Sequence, residues 1–510
     1  MSNSILLKAF KGFLSDSIGS LILSIVNVLS IPVILFYISN DSYGMWLTFF
    51  SIISYFGLAD LGIGQSVIRS LAIEINNNNN SKKIHGIIGS ALVFYIIISL
   101  VILIIGFVIP ELFPKTFTFE SNRVLKSTYF IALFTAALSL PLSIFRLILI
   151  GFEELSKVYN YTNLISILSI SISLILLYLG LDTISLAIAF LTNIIFSSLI
   201  FWKIITNKFK VIDFKKISFN KNIFKELFSF GGYFQLGAIA NSVILNTDNI
   251  LISSNLGAGM VPTYQFTSKL AQTFSVNIAS KLPNSLFPKL TELFSKNKKV
   301  LLGQIYCRLL FISVRLAVFG ATIIFFINEK FVQIWVGLEN YGGDSLSYIF
   351  ILWLILETIQ RGTGAVIYAS GEIKSFTYVM ILEAILNIII SIYLVNTHGL
   401  IGVAFGTIFS KLVCSFWYAP YFTIKKLELR FISVFYKSVL IPIFSSLPSI
   451  LIGYLLVSIF NIDSLFIIIS SIMISNFLFF ELLSFIILNN KNIKFKNYLK
   501  DLFILNINYF

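Results

Sequence analysis

The stretch that decides the fold is GIIGSALVFYIIISLVILIIGFVI, residues 86–109, which contains no charged side chain. As an α-helix, these 24 residues would be about 36 Å long, more than the ~30 Å hydrocarbon core of a bilayer. Similar apolar runs recur along the chain, and the charged residues lie mostly in short stretches between them. The sequence therefore predicts an all-α polytopic membrane protein.

The composition of the 510 residues supports this prediction. The hydrophobic fraction is 57%, the charged fraction is 12%, and the mean hydropathy is +0.92. Soluble domains carry about 25% charged residues. The net charge of +14 does not indicate nucleic-acid binding, because the lysines lie in loops between spans and not in one basic domain. Cys307 and Cys414 fall inside apolar runs and predict neither a disulfide framework nor a structural metal site.

Fourteen apolar runs are predicted to cross the membrane. The first is interpreted as a retained span, because it is far longer than the apolar part of a signal peptide and no small-residue cleavage site follows it. Connections on one side are very short, such as 180–182 and 396–399, and the basic loops lie on the other side. The predicted spans are 13–38, 43–71, 86–109, 126–150, 158–179, 183–204, 228–254, 261–287, 301–327, 345–369, 376–395, 400–424, 438–460 and 464–488.

The distribution of Lys and Arg predicts the orientation. The segments on the side of the N-terminus carry 26 of the 37 Lys and Arg residues, whereas the opposite loops carry four, namely Lys115, Arg123, Lys126 and Lys330. Cytoplasmic loops of membrane proteins are enriched in Lys and Arg. We therefore expect both termini in the cytoplasm, as an even number of spans requires.

Part of the sequence is repeated, and the repeat predicts two halves. An offset of 215 residues places spans 5 and 6 onto spans 11 and 12, and such repeats are typical of transporters with a substrate site between the halves. The predicted organisation is a six-helix half at 1–206, a cytoplasmic linker at 207–226, a second six-helix half at 227–425, and two extra helices with a basic tail at 426–510. The repeated dipeptides are Tyr178-Leu179, Ala189-Phe190 and Phe201-Trp202, which recur as Tyr393-Leu394, Ala404-Phe405 and Phe416-Trp417.

Several cations interrupt the predicted spans. An ionisable side chain at bilayer depth costs about 3 kcal/mol, so it usually faces a wet cavity or a partner. Lys269, Arg315 and Lys411 lie inside spans 8, 9 and 12, and Arg308 lies on the same helical face as Arg315. We expect these four to line a cavity and attract an anionic substrate. The alternatives are an ion pair of Lys269 with Asp248, and snorkelling of Arg308 to the cytoplasmic surface.

Three further charged residues are candidates for a gate or conformational role. Glu357 and Arg361 are four residues apart on span 10, the spacing of an intrahelical salt bridge, and a purely structural pair is the alternative. Asp60 interrupts span 2 within the glycine-rich stretch 57–64. Glycines let a spanning helix bend, and the alternative for Asp60 is a structural carboxylate bonded to backbone at a helix end.

Five stretches carry a family resemblance. FGLADLGIGQSVIR at 56–69 ends span 2, and GEIK at 371–374 follows span 10. In the second half, DNIL at 248–251 is followed by YQFTSKL at 264–270 and LFPKL at 286–290. Their order and spacing resemble Wzx-type polysaccharide flippases of the multidrug/oligosaccharidyl-lipid/polysaccharide (MOP) exporter superfamily. The resemblance extends over the whole chain, with twelve core spans and two extra ones.

The resemblance implies a flippase and not an enzyme. Such a protein moves a polyprenyl-diphosphate-linked oligosaccharide unit of O-antigen or another surface polysaccharide to the outer leaflet of the bacterial cytoplasmic (inner) membrane by alternating access. No cofactor is implied beyond coupling to Na+ or H+. The implied partners are the lipid-linked oligosaccharide, membrane lipids, a polysaccharide polymerase and a chain-length regulator, with no nucleic acid.

The resemblance also implies roles for individual residues. Lys269 matches the place of a cavity arginine in the lipid II flippase relatives, and Asp60 matches an acidic residue near their gate. Those relatives hold the diphosphate with arginines in spans 1 and 2. This chain has none there before Arg69, a departure that disfavours lipid II as its substrate.

A site for a coupling cation is implied in the same way. The Na+ site of one relative corresponds to Asp248, Asn387, Ser391 and Thr407 of this chain. Ser391 stands where that relative has an acid, and Glu383, one turn before Asn387, is the nearest substitute. Carboxylate, amide and hydroxyl oxygens suit a hard cation. The alternative is that these polar groups only bond across helices, and no other metal is expected.

Two rival functions remain open at this stage. A cation-coupled multidrug exporter of the same superfamily should have a more apolar cavity, whereas Lys269, Arg315 and Lys411 favour an anionic substrate. A membrane polymerase or glycosyltransferase would need a sizeable outer loop for its sugars. The longest predicted outer loops, 110–125 and 328–344, are short and lack a catalytic pattern.

Overall fold

The computed structural model of the chain describes residues 2–77, 81–112, 117, 122–209, 211–229, 232–459, 464 and 467–475. These residues are almost entirely helical, and none of them lies in a β-strand. The helices are α1 Ser2–Tyr37, α2 Asn40–Phe56, α3 Ile63–Asn77, α4 Ser81–Leu112, α5 Arg123–Gly151, α6 Leu155–Tyr178, α7 Ile184–Lys208, α8 Lys221–Ser229, α9 Gly232–Leu256, α10 Met260–Thr273, α11 Lys281–Ser295, α12 Lys299–Val336, α13 Asp344–Ser370, α14 Lys374–Val413, α15 Ser415–Lys426, α16 Phe431–Phe435 and α17 Ile441–Tyr454.

The helices confirm the predicted all-α polytopic class. Within the described residues, nine helices are long and apolar enough to cross a bilayer, or ten if the bent pair α2 and α3 counts as one span. The predicted span at 464–488 lies mostly outside the described residues. Its described part includes residues 467–475, which are helical. The total of fourteen spans therefore stays a prediction.

The second predicted span is broken and not continuous. α2 and α3 are bent by 42° where they meet. Leu61 and Gly62 have positive φ angles of 49° and 80°, and left-handed residues interrupt the helical hydrogen-bond ladder. Beside the break, the Asp60 carboxylate accepts hydrogen bonds from the Gly64 N–H at 2.9 Å and from the Tyr95 hydroxyl at 2.5 Å. Asp60 thereby caps the start of α3.

The predicted spans 11 and 12 form a helical hairpin. α14 and α15 together cover 53 residues, which would extend about 80 Å if straight. Gly399 has φ 57° and ψ −136°, outside the helical region, and breaks α14. This break falls in the predicted loop 396–399.

Two side-chain contacts fix the register of this hairpin. Lys411 Nζ lies 3.4 Å from Glu383 Oε1, and Asn387 Nδ2 donates to Thr407 Oγ1 at 2.9 Å. In a straight helix the first pair would be about 42 Å apart and the second about 30 Å apart. Both pairs are centred on Thr397, so the two parts of α14 run antiparallel from that residue.

The chain divides into two compact units by its contacts. The first is Met1–Pro262 with Ser391–Gly399, and the second is Thr263–Ile390 with Leu400–Phe510. Within the first unit α9 packs against α2, although the repeat assigns α9 to the second half. The contact boundary therefore differs from the predicted linker at 207–226, and the two repeat halves stay a prediction.

The predicted linker packs on α4 within the first unit. His85 Nε2 accepts a hydrogen bond from the Asp213 N–H at 2.8 Å, and Ser90 Oγ accepts one from the Asn220 N–H at 3.0 Å. Gly89 allows this close approach, because a Cβ there would lie 2.3 Å from the Ser218 carbonyl oxygen. Backbone and side-chain contacts thus hold the linker to α4.

Candidate functional site

Four ionisable side chains of the second unit, Glu357, Arg361, Glu383 and Lys411, form one charged network. Glu357 contacts both cations, with Oε1 2.8 Å from Arg361 Nη2 and Oε2 2.9 Å from Lys411 Nζ. Lys411 Nζ also lies 3.4 Å from Glu383 Oε1, an ion-pair contact without a hydrogen bond at that oxygen. Two carboxylates balance two cations, and this balance lowers the cost of burying the charged network.

Neutral side chains complete the surroundings of both cations. Gln360 Oε1 accepts a hydrogen bond from Lys411 Nζ at 2.6 Å, and Gln360 Nε2 donates to Ser415 Oγ at 2.8 Å. Arg361 Nε donates to Ser275 Oγ at 3.1 Å. Ser275 lies in a π-helical turn, Phe274–Ala279, which joins α10 to α11. Such turns occur frequently at functional sites.

Local structure explains how the charged network assembles. Residues four apart share one helical face, so α13 brings Glu357 and Arg361 together, and the structural pair considered from the sequence is present. The antiparallel hairpin of α14 brings Lys411 to Glu383. A gate or conformational role of Glu357 and Arg361 stays a prediction.

Burial decreases along the charged network towards Arg361. The exposed fractions of the side chains are 1% for Glu383, 5% for Lys411, 11% for Glu357 and 27% for Arg361. The expectation that Lys411 lines a cavity as an available cation is not supported, because its ammonium group is enclosed by three acceptors. Hydropathy places a lysine at membrane depth, but only the packing of α13 and α14 shows which groups surround it.

Lys269 differs from these cations. It lies on α10 and is half-buried, and it has no ion-pair partner among the described residues of its own unit. The alternative ion pair with Asp248 would involve the first unit and stays a prediction. If α10 lies in the membrane as the predicted span 261–287 requires, such a cation is suited to attract an anionic ligand.

Arg308 and Arg315 lie on α12, as predicted, and both are half-buried. Seven residues separate them, so they occupy similar positions around the helix. Their expected contact with substrate stays a prediction.

The candidate cation-site residues fall into two groups. Glu383, Asn387 and Thr407 of the second unit lie together on the α14 hairpin, and Ser391 is buried one turn after Asn387. Asp248 is buried in α9 of the first unit. Both Glu383 carboxylate oxygens and Asn387 Oδ1 are buried and accept no hydrogen bond. Within the described residues, no group of three or more His, Cys, Asp or Glu side chains is arranged to hold a metal ion.

These acceptor oxygens fit a small cation or a proton. The Glu383 carboxylate has one cationic neighbour, Lys411, and neither it nor Asn387 Oδ1 accepts a hydrogen bond. Oxygen ligands of this kind suit Na+, and a carboxylate can also take up H+. The donor set is therefore compatible with the predicted coupling ion.

The first unit pairs neutral polar groups between α9 and the segment formed by α2 and the turn that follows it, and these groups are buried or half-buried. Asn249 Nδ2 donates to Ser51 Oγ at 2.8 Å, and the hydroxyl oxygens of Tyr55 and Thr247 are 2.7 Å apart. In addition, Gln235 Nε2 donates to the carbonyl oxygen of Leu58 at 2.9 Å. We call these six residues the polar seam. Asp60, two residues beyond Leu58, is bonded to backbone at a helix end, and its predicted gate role stays a prediction.

Comparison with known protein families shows to which family the chain is related. The sequence profile of a family described as "Polysaccharide biosynthesis protein" matches residues 9–294, more than half of the chain. The chain belongs to this family.

Individual relatives of the chain agree with that assignment. It is 23% identical over 381 residues to a putative O-antigen transporter of Shigella flexneri, covering 71% of the chain and 85% of the relative. It is 25% identical over 422 residues to a putative O-antigen export protein of Yersinia pseudotuberculosis, covering 79% and 93%. The resemblance stated from the sequence motifs is confirmed.

Solved structures show the same fold. An inward-facing multidrug resistance MATE family transporter of the MOP superfamily superposes with a TM-score of 0.65 at 15% identity, covering 80% of this chain and 95% of the transporter. The lipid II flippase MurJ in an inward closed conformation superposes with a TM-score of 0.63 at 17% identity, covering 93% and 98%. The chain therefore has the MOP exporter fold.

Sequence reasoning missed several members of the site. Ser275 and Gln360 are common polar residues with no motif around them, and their roles depend on which helices meet. Tyr95 was read only as part of an apolar run, yet it donates to Asp60. A carboxylate inside a predicted span needs hydrogen-bond donors, so the sequence indicated that Asp60 has partners but not which residues they are.

Proposed function

We propose that this protein is a flippase that carries polyprenyl-diphosphate-linked oligosaccharide units outwards across the bacterial cytoplasmic membrane. The observation that carries the proposal is Lys269, a half-buried cation within the predicted span 261–287 and without an ion-pair partner among the described residues of its unit. Family membership and relatives named as O-antigen transporters support it. A fold shared with a lipid II flippase is compatible with a lipid-linked cargo.

The charge of the cargo explains why a buried cation is needed. A diphosphate carries negative charge that hydrocarbon does not solvate, and attraction to a cation is strongest where screening water is scarce. Lys269, with Arg308 and Arg315 on α12, supplies positive charge inside the spans. An exporter of cationic drugs would meet repulsion from the same residues.

The decisive experiment for this function is a gene deletion in the native host. Long surface polysaccharide should disappear, while lipid-linked units accumulate on the cytoplasmic leaflet. Complementation with Lys269→Glu should fail, whereas Lys298→Glu, a charge reversal at an exposed position, should restore the polysaccharide. Intact polysaccharide together with raised sensitivity to cationic drugs would instead identify a drug exporter.

Coupling to Na+ or H+ is part of the proposal. Glu383, Asn387, Ser391 and Thr407 on α14, together with Asp248 on α9, are its candidate ligands. Transport into vesicles should respond to an imposed Na+ or H+ gradient, and Glu383→Gln and Asp248→Asn should each reduce that response. An unchanged gradient dependence would remove the substituted residue from the coupling mechanism.

The proposed orientation places both termini in the cytoplasm. Reporter fusions at Lys216 and Ser295 should then report the cytoplasm, and fusions at Lys115 and Asn340 the outside. Release on the outer side fits delivery to a separate polysaccharide polymerase and its chain-length regulator, which are the proposed partners. An outward signal at Lys216 would contradict the assignment of 207–226 as a cytoplasmic linker.

A further inference from the structure

The charged network contains two cations, but only one of them is available to a ligand. Lys411 Nζ lies 2.9 Å from Glu357 Oε2 and 2.6 Å from Gln360 Oε1, and it has a longer ion-pair contact of 3.4 Å with Glu383 Oε1. Its side chain is also almost completely buried. Lys411 therefore lacks the access that a substrate contact needs.

Arg361 is in the opposite situation. A guanidinium group has five N–H donors, and Arg361 uses one for Ser275 and one for Glu357. No further partner is present among the described residues, so three N–H groups are without a partner in that part of the chain. More than a quarter of the side chain is exposed. Lipid tails offer no acceptor, so these donors need water or a polar ligand.

The position of Arg361 along α13 places it within the membrane. It lies nine residues before Ser370, the last residue of the helix, or about 14 Å from that end. It lies about 26 Å from Asp344 at the other end. A polar ligand that reaches Arg361 must therefore be taken into the protein from the membrane surface, as the cargo of a transporter is.

The charges around Arg361 leave it attractive to an anion. Its one carboxylate partner, Glu357, is shared with Lys411, which holds the second oxygen. The other carboxylate of the charged network, Glu383, contacts Lys411 and not Arg361. The guanidinium is consequently only partly neutralised by its neighbours.

We propose that Arg361 binds the anionic group of the transported lipid-linked saccharide, and that Lys411 and Ser275 are positioning residues that fix Glu357 and the guanidinium. This inference rests on the proposed function. The planar fork of an arginine matches paired oxygens, as in phosphate and carboxylate groups. The ligand chemistry is thus an oxyanion, supplied either by the diphosphate or by an acidic sugar.

The test uses the full chain in detergent and two probes. Farnesyl diphosphate represents the lipid diphosphate and glucuronic acid represents an acidic sugar, with farnesol as the uncharged control. Arg361→Gln should weaken binding of at least one anionic probe tenfold or more and leave farnesol unchanged. The probe that is affected identifies the source of the oxyanion. Arg430→Gln, which removes an exposed arginine at 430, should bind both probes like the wild type.

Two further variants separate ligand binding from a structural role. Arg361→Lys keeps the charge but loses the fork, so its affinity should fall between wild type and Arg361→Gln. Glu357→Gln removes the competing negative charge, and it should tighten binding of the same probe several-fold. A purely structural Arg361 would not produce this gain. Equal affinities of wild type, Arg361→Gln and Glu357→Gln for both probes would overturn the proposal.

The outcomes also distinguish this inference from the proposed function. Loss of surface polysaccharide in the deletion strain, combined with no Arg361-dependent binding, would refute the role of Arg361 and leave the flippase in place. Intact polysaccharide, combined with Arg361-dependent binding of farnesyl diphosphate, would refute the polysaccharide flippase and retain an oxyanion site.

Discussion

The polar seam of the first unit and the charged network of the second satisfy polar side chains between helices by different means. The polar seam pairs neutral groups, such as Asn249 with Ser51 and Tyr55 with Thr247. The charged network pairs full charges, in which Lys411 contacts two carboxylates. Separating a neutral hydrogen-bonded pair costs little free energy, whereas separating a buried ion pair leaves a charge uncompensated and costs much more. The polar seam is therefore suited to opening, and the charged network to holding helices together.

The magnitudes support this contrast. Hydrogen bonds between spanning helices contribute about 0.6 kcal/mol on average. Removing one partner of a buried ion pair costs about 3–5 kcal/mol, because a charge is left uncompensated. Substitutions in the two regions should therefore differ several-fold in their effect on stability.

The largest effect is expected for Lys411→Met. It leaves Glu357 and Glu383 with Arg361 as their one cation in the charged network, and it should lower the free energy of unfolding by about 3–5 kcal/mol in a detergent titration. The double variant with Glu383→Gln should recover part of this loss. Lys425→Met, at an exposed lysine, should change stability by less than about 0.5 kcal/mol. Equal effects of the two lysine substitutions would show that the charged network does not stabilise the second unit.

An intermediate effect is expected for Asp60→Ala, because Asp60 is a charge held by neutral donors. The substitution leaves the Tyr95 hydroxyl without an acceptor and removes the cap of α3. We expect a loss of about 2 kcal/mol in the same titration. Asp60→Asn keeps an acceptor oxygen and should lose less. A loss for Asp60→Ala as large as that of Lys411→Met would show that losing a carboxylate bonded to neutral donors costs as much as losing a member of the charged network.

A smaller effect is expected in the polar seam itself. Tyr55→Phe and Asn249→Ala each remove one hydrogen bond between α2 and α9, and each should cost about 0.6 kcal/mol. If the polar seam opens during transport, these variants should also shift cysteine accessibility at Thr247, measured with a charged thiol reagent in a background without Cys307 and Cys414. Losses above about 3 kcal/mol would mean that the polar seam is as rigid as the charged network.

The smallest effect is expected at the protein surface around Glu292, where ion pairs are solvated. Hydrogen bonds from Lys296 and Lys289 lower the pKa of the exposed Glu292 carboxyl to about 2. Because the folded pKa is depressed, the stabilisation is present above the ordinary pKa of about 4.5 and is lost as the pH falls towards 2. The melting temperature of Glu292→Gln should therefore approach that of the wild type between pH 4.5 and pH 2. A difference that grows on acidification would have the wrong sign.

Most of the fold could be predicted from the sequence. Hydropathy is a local property, so the runs that became α4, α5, α12 and α13 were visible directly. The turn at 396–399 followed from its position between two apolar runs. The break within 43–71 was only indicated, because glycines permit a bend without requiring one, and the left-handed Leu61 had no sequence signal of its own.

The candidate site was predictable only in part. The spacing of Glu357 and Arg361 fixed one ion pair, since four residues on a helix share a face whatever surrounds them. The sequence also identified Lys269, Lys411 and Glu383 as charges at membrane depth. It predicted that Lys411 contacts the substrate and that Arg361 belongs to a gate. In the structure Arg361 is the more exposed of the two side chains, which favours Arg361 as the one that contacts a ligand.

The sequence by itself determined that the chain is an all-α membrane protein, where several of its long apolar helices run, and to which family it belongs. Only the tertiary structure decided which charges compensate one another. That depends on the rotation of each helix about its axis and on the fold-back of α14 around Thr397, which brings Lys411 to Glu383 and Asn387 to Thr407. Neither the helix rotation nor the fold-back can be read from a short stretch of sequence, because both are determined by packing contacts spread over many residues.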